Sequence, residues 1–411
     1  MESKRLWIWL QNAVGVGWTH SADLLQQFGD AAAVYAADES ALRAAGLNGA
    51  ALRNLKNKSL SKADKILKTV QKKGWQVLTP DDAVYPDGWA ALPDLPLAVY
   101  VCGQLPDRAA FPTIAVVGTR KISEEGRRLT AALAAGLAAA GCTLVGDTIH
   151  GGDEVAMEAA VKVGGVGVIL QPCGTDVDYP KKSDRLRTAV LTAGGAILSE
   201  FPPSTPVRRE NYGLRNRLLA TYADAVLVTE AGEKSGTLRL AGLAAASGRE
   251  VLAVPGDRTQ NAGCHKLIRD GAALVENCRE ILKVLVGRYP QLNSEKGMEA
   301  EKRSWAESPK SEPPKKERKP AKRPEPIRPY VVRQQPQPAP ASGEVTWGPL
   351  PDYLSDRAKT VAERLTAEPR SIEQLTEDTA LSMPQAMTAL TELELCGVAQ
   401  SYPGGRYSRK G

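Results

Sequence analysis

The chain has 411 residues, 43% hydrophobic and 24% charged, which supplies apolar material for sizeable cores and excludes a wholly disordered protein. Aromatic residues make up only 5%, so alanine, leucine and valine must fill the interior, an arrangement that favours helices packed closely on a sheet. The six cysteines are scattered and form no CxxC pair, so neither a zinc site nor a disulfide framework is indicated; no metal and no cofactor is expected.

The first residues, MESKRLWIWLQN, lack an apolar run of signal-peptide length, and the sequence predicts a cytoplasmic protein. Residues 1–70 read as a helical module with glycine turns at Val14-Gly15-Val16-Gly17 and Ala45-Gly46-Leu47-Asn48-Gly49, a pattern that suits paired helix-hairpin-helix (SAM-like) units. Such hairpins can offer backbone N–H groups to a phosphate, and they serve plain helix packing equally well. Residues 71–112, rich in proline and aspartate, read as a structured connection ending in a short strand near Ala98 to Val101.

From 113 to 288 short apolar runs alternate with helix-spaced stretches. The runs are Ile114–Val117, Thr143–Val145, Val166–Leu170, Ala196–Leu198, Ala225–Val228 and Val251–Val254. This alternation predicts an α/β fold: a Rossmann-like, doubly wound parallel sheet. Leu129 to Gly146 is uncharged, but its alanines and glycines make it a buried helix followed by a strand rather than a membrane span.

The segments after the strands all emerge at one edge of such a sheet, where helix N-termini point unpaired N–H groups. They include Gly118-Thr119-Arg120, Gly146 to Asp153, Cys173-Gly174-Thr175, Glu200-Phe201-Pro202-Pro203, Glu230 to Thr237 and Pro255-Gly256-Asp257. Six glycine- or proline-bearing loops in series predict a site for a phosphate-bearing ligand. A Walker A loop and a GxGxxG fingerprint are both absent, which weakens ATP hydrolysis and dinucleotide binding. Cations are plentiful instead: Arg120, Lys181, Lys182, Arg208, Arg209, Arg215, Arg217, Lys234 and Lys266. Phe201, Tyr179 and Tyr212 could stack on bases, so the combination suits single-stranded nucleic acid. About half of these cations are expected to pair with acids such as Glu200, Glu210 or Glu230 instead.

The formal net charge is +6. Residues 301–342 hold eleven Lys/Arg, five Glu and ten prolines, which leaves the remainder neutral and places an extended linker over 289–350. In the last segment, 351–411, Ser371 with Gln374 and Ser382 with Gln385 fit capping boxes, and Val398 to Tyr407 reads as a wing, so a winged helix is predicted. Residues 372–396 carry five acids and no Lys or Arg, which argues for docking a protein or the basic linker rather than a DNA groove.

Taken together, Ala115-Val116-Val117-Gly118-Thr119-Arg120, Tyr179-Pro180, Ile197 to Pro203, Arg215-Asn216-Arg217, Lys234-Ser235-Gly236-Thr237-Leu238, Gly248-Arg249-Glu250-Val251 and Ala253-Val254-Pro255-Gly256 resemble the DNA-processing protein A family (DprA, also called Smf) in content and order. The resemblance implies a nonenzymatic protein that binds and protects single-stranded DNA, forms a homodimer through its Rossmann-like domain, and helps load RecA recombinase in natural transformation or recombination. The DNA contacts it implies are Gly118, Thr119, Arg120, Phe201, Arg215, Asn216, Arg217, Lys234, Ser235, Gly236 and Thr237, with no catalytic residue and no membrane partner. Two departures stand out. The family usually has Ser-Gly and then Ala-x-Gly-Ile-Asp after the second strand, where this chain reads Val145 to Asp153; and Tyr212-Gly213-Leu214 replaces Phe-Pro before Arg-Asn-Arg.

The rival reading is a nucleotide-binding or phosphoribohydrolase-like enzyme, because Ala231 to Thr237 distantly echoes a PGGxGT loop. Leu240 stands where such enzymes carry a glutamate, and His150 is the one histidine near the predicted cleft.

Overall fold

The computed structural model describes residues 2–181, 183–308, 350–351, 354–402 and 406–409. It divides into two compact units, 1–316 and 317–411.

The first unit opens with six helices: α1 (Glu2–Val14), α2 (Ser21–Phe28), α3 (Ala31–Ala36), α4 (Glu39–Ala44), α5 (Gly49–Lys56) and α6 (Ser61–Lys72). Asp30 and Asp38 cap α3 and α4 by accepting from the Ala33 and Ala41 backbone N–H. Trp7, Ile8, Trp9 and Leu10 bury most of one turn of α1 in a core shared with Leu42, Leu55 and Val70. The glycine turn at 15–17 is used in packing. A Cβ on Gly17 would overlap the Leu214 side chain, so the helical module sits directly on the sheet domain.

Next come β1 (Gln76–Leu78), α7 (Asp87–Ala90), β2 (Val99–Gly103), β3 (Thr113–Gly118), α8 (Glu124–Ala139), β4 (Thr143–Gly146), α9 (Gly152–Lys162), β5 (Gly167–Leu170), α10 (Asp184–Thr192), β6 (Ala196–Ser199), α11 (Asn211–Tyr222), β7 (Ala225–Glu230), α12 (Gly236–Ala246), β8 (Glu250–Ala253), α13 (Ala262–Arg269), β9 (Ala273–Leu274), α14 (Cys278–Leu285) and α15 (Ser294–Glu307). The sheet runs β1-β2-β6-β5-β4-β3-β7-β8-β9. From β6 to β9 all neighbours are parallel, as the strand-helix alternation predicts. The connection 71–112 contributes more than a lead-in, because β2 pairs antiparallel with β6 and β1 with β2, so the sheet is mixed.

Alternation along β3 builds the two faces. Ala115 and Val117 enter the core beneath α11 and α12, while Ile114 and Val116 enter the one beneath α8 and α14. The order of connection reverses between β3 and β7, the point at which sheets of this kind carry a ligand crevice at the strand ends. All six cysteines are free, and among the described residues no helix is long and apolar enough to cross a membrane.

The linker expected over 289–350 begins later than its charge suggests. Helix α15 occupies 294–307, capped by Asn293, and packs on α8 where Gly136 and Gly297 let the two backbones meet, a Cβ on Gly297 falling 2.9 Å from the Gly136 carbonyl oxygen. Trp305 then covers the Arg128 guanidinium at 4.4 Å. The proline-rich part, 309–349, lies outside the described residues, as do Lys182 and the wing's turn at 403–405.

The second unit has α16 (Asp356–Arg364), β10 (Arg370–Ser371), α17 (Ile372–Thr379), α18 (Met383–Leu395), β11 (Ala399–Tyr402) and β12 (Arg406–Arg409), with sheet order β10-β12-β11. Both capping boxes form, at Ser371 and Ser382. Val361, Leu375, Leu390 and Leu393 make its core, and the whole is a winged helix.

Candidate nucleic-acid interface

At the switch point, the loop after β3 meets the loops after β4 and β7. Thr119 N–H donates to the Glu230 carbonyl at 2.8 Å, Gly152 N–H donates to the Thr119 carbonyl at 3.2 Å, and the Thr237 hydroxyl donates to the Gly118 carbonyl at 3.3 Å. The approach needs glycine on both sides: a Cβ on Gly152 would stand 2.6 Å from the Gly118 Cα.

Two helix N-termini face this crevice, and they differ. At α8 the carboxylate of Glu230, itself 4% exposed, accepts from the Ser123 N–H at 3.0 Å and the Ser123 hydroxyl at 2.5 Å. It lies so close over the first turn that a Cβ on Gly126 would overlap it. The helix end that holds pyrophosphate in dinucleotide-binding folds is therefore filled by the chain's own anion. At α12 the end is open. Ser235 is the cap, Gly236 is exposed with no atom within 4 Å of the place its Cβ would take, and Lys234 is exposed beside it.

Arg120, exposed, extends from the β3 loop with its guanidinium carbon 5.5 Å from the Tyr212 ring centroid. Tyr212 donates its hydroxyl proton to the Tyr179 hydroxyl at 2.6 Å, and the two rings meet edge to face at 6.5 Å. A partly exposed aromatic pair thus stands beside an exposed arginine, the combination that base stacking and phosphate binding require. Of the residues named from sequence, Gly118, Thr119, Arg120, Lys234, Ser235, Gly236 and Thr237 converge here. Half-buried Asn216 lies on α11, whose first turn carries Tyr212.

Three of the named residues are turned inward. Phe201 is 5% exposed and belongs to the interior after β6, out of reach of a base. Arg215, 7% exposed, pairs with Asp147 at 3.0 Å; Arg217, equally buried, pairs with Asp94 at 2.7 Å and Glu200 at 2.9 Å. Both guanidiniums pair with carboxylates within the fold, and both residues are more than nine-tenths buried. Among the other cations, Lys266 pairs with Asp270, Arg208 approaches Glu210 at 4.0 Å, and Lys181 and Arg209 are exposed.

The aspartates of the divergent loop are also engaged within the fold. Asp147 is fully buried and accepts from the Thr148 N–H besides meeting Arg215; burial raises its pKa against the pull of that arginine. Asp153 accepts from the Gly118 N–H at 3.2 Å, and burial pushes its carboxyl up to about 6. Because this folded-state value lies above the ordinary one, Asp153 favours the fold most below about pH 4, and that contribution is lost as pH rises through about 6. Asp153→Asn, which keeps an acceptor for Gly118, is expected to raise stability at pH 7.5 by about 1–3 kcal/mol and to converge with the parent below about pH 4. Urea titrations across that range check it, and a parallel offset at every pH would contradict the assignment.

Leu240 is buried in the core, and His150, exposed, has its Nδ1 2.9 Å from Glu154 on the first turns of α9.

A family model described as DNA recombination-mediator protein A matches residues 76–286, and one described as the DprA winged helix domain matches 335–405. Protein Smf of Synechocystis sp. is 29% identical over 351 residues, 83% of this chain and 81% of its own. Protein Smf of Escherichia coli is 37% identical over 211 residues, 51% of this chain and 56% of its own. The X-ray structure of DNA processing protein A from Streptococcus pneumoniae superposes with a TM-score of 0.53 at 27% identity, covering 60% of this chain and 85% of the other. With a family model matching half of its length, this chain belongs to the DNA recombination-mediator protein A family.

Proposed function

We infer that this protein binds single-stranded DNA along the switch-point crevice and, as the name of its family suggests, mediates recombination by helping to load RecA recombinase on the strand it holds. The observation that carries the reading is the contrast between the two helix ends. Glu230 repels a compact phosphate from α8, whereas Arg120, Lys234 and the open N-terminus of α12 offer separate anchors suited to successive phosphates of an extended chain. Tyr212 and Tyr179 add a stacking surface that paired bases in a duplex cannot reach. Dimerisation through the sheet domain fits β9, a short edge strand with Leu274 half exposed.

Fluorescence anisotropy with an unstructured oligonucleotide and its duplex tests the binding. The single strand should bind more tightly, with log affinity falling linearly as log salt rises. Tyr212→Ala is expected to weaken it by about 1–3 kcal/mol, and Tyr212→Phe, which keeps the ring, by much less. Equal loss in both variants would remove stacking from the account. The RecA step is tested by whether RecA filament nucleation on the oligonucleotide accelerates when the protein is added.

A further inference from the structure

Among the described residues, helix α18 presents an exposed stripe. Its core side is Ala386, Ala389, Leu390 and Leu393, and immediately beside that lie Met383, Met387, Thr391 and Glu394, successive at i, i+4, i+8 and i+11 and all exposed. Met387 is 54% and Met383 41% exposed, so two of the chain's five methionines face solvent on one turn-and-a-bit of helix. In a winged helix this second helix is the one that enters a DNA groove, where cations are needed. Here 372–396 has none, and among the described residues no ion pair reaches Glu373, Glu377 or Glu394. Unbranched, polarizable methionines adapt to partner side chains, and exposed carboxylates select cations.

We propose that the α18 face of the winged helix, anchored by Met383 and Met387, with exposed Glu394 on the same helix and exposed Glu373 and Glu377 on the adjoining α17, docks a basic amphipathic helix of a partner protein. The charge complementarity fixes the class of occupant: an apolar ridge alone leaves three carboxylates unused, and a phosphate backbone meets repulsion from all of them. The site shares no residue with the crevice in the sheet domain.

The full chain, labelled with 13C-methyl methionine, is titrated with an amphipathic helical peptide of lysine and leucine and separately with duplex DNA. Met383 and Met387 methyl signals should shift saturably with the peptide while those of buried Met157 and partly buried Met298 stay in place. By anisotropy, Met383→Ser/Met387→Ser should weaken the peptide about tenfold or more, and Glu373→Gln/Glu377→Gln/Glu394→Gln should weaken it and flatten its salt dependence. Because all five side chains are on the surface, an unchanged thermal melt verifies folding. The proposal is overturned if the two methyls respond to duplex DNA and not to the peptide, if they move with protein concentration alone, if deletion of 310–328 shifts them, or if nothing shifts them.

Discussion

Replacing Arg217 with alanine should cost the fold about 3–5 kcal/mol, more than any loss it causes in the DNA affinity of the protein that remains folded. The guanidinium is 7% exposed and clamps three parts of the chain at once. Its Nε meets Asp94 at 2.7 Å in the connection after α7, and its Nη2 meets both oxygens of Glu200 at 2.9 Å at the end of β6. Glu200 in turn accepts from the Gly17 backbone N–H, and the Glu200 carbonyl accepts from the Gln11 side chain, so the helical module is held by the same cluster. Removing the arginine strands a 3% exposed carboxylate without its counter-charge. Burial already raises the Glu200 carboxyl above its usual range, with Arg217 opposing; in the variant that opposition goes and the value climbs further. A raised carboxyl supplies stability at low pH and forfeits it as pH increases, so the deficit of Arg217→Ala should be larger at pH 8 than at pH 6. Arg217→Lys should recover only part, since an ammonium cannot fork between Asp94 and Glu200. Denaturant unfolding at the two pH values measures this, and a deficit below 1 kcal/mol at both, with the sheet domain intact, would contradict the clamp.

The same arginine shows where sequence stops informing. Strand and helix periods reveal the parallel sheet because alternation is local, and the crevice follows from connection order; both are legible in 113–288. Pairing partners are not local. Nothing near Arg215 and Arg217 in the chain distinguishes them from Arg120, and only folding brings Asp147, Asp94 and Glu200 to them. The burial of Phe201 is hidden from the sequence for a related reason: a residue just past a strand end points either into the core or out of it, and the period of two does not say which. Glu230 sealing α8 had one faint signal, the small Gly126 in the helix's first turn, which makes room for a carboxylate. Charge density hid α15, because 301–307 shares its cations with the proline-rich stretch; Asn293 as a cap and Gly297 opposite Gly136 were the local signs of a packed helix.

Arg120 is the counterpart of Arg217, exposed and, among the described residues, in no ion pair, and its substitution should separate binding from folding. Arg120→Ala leaves no buried charge behind, so the thermal melt should match the parent within about 0.5 kcal/mol. Its loss to the DNA is another matter. If Arg120 holds a phosphate as proposed, the charge-assisted bond together with the guanidinium's place beside Tyr212 should be worth about tenfold to a hundredfold in affinity. The slope of log affinity against log salt should fall by about 0.7, one phosphate's worth of released counterion for a single strand. Arg120→Lys restores the slope, because the charge returns, and recovers only part of the affinity, because a compact ammonium neither forks nor stacks as a guanidinium does. Lys234→Ala should subtract a similar increment of slope, and Arg120→Glu/Lys234→Glu more than the sum, since it puts repulsion at both anchors of the crevice. A slope that stays fixed in Arg120→Ala would mean that the strand takes another path across the protein, and Arg209 or Lys181 would then be the residues that change it.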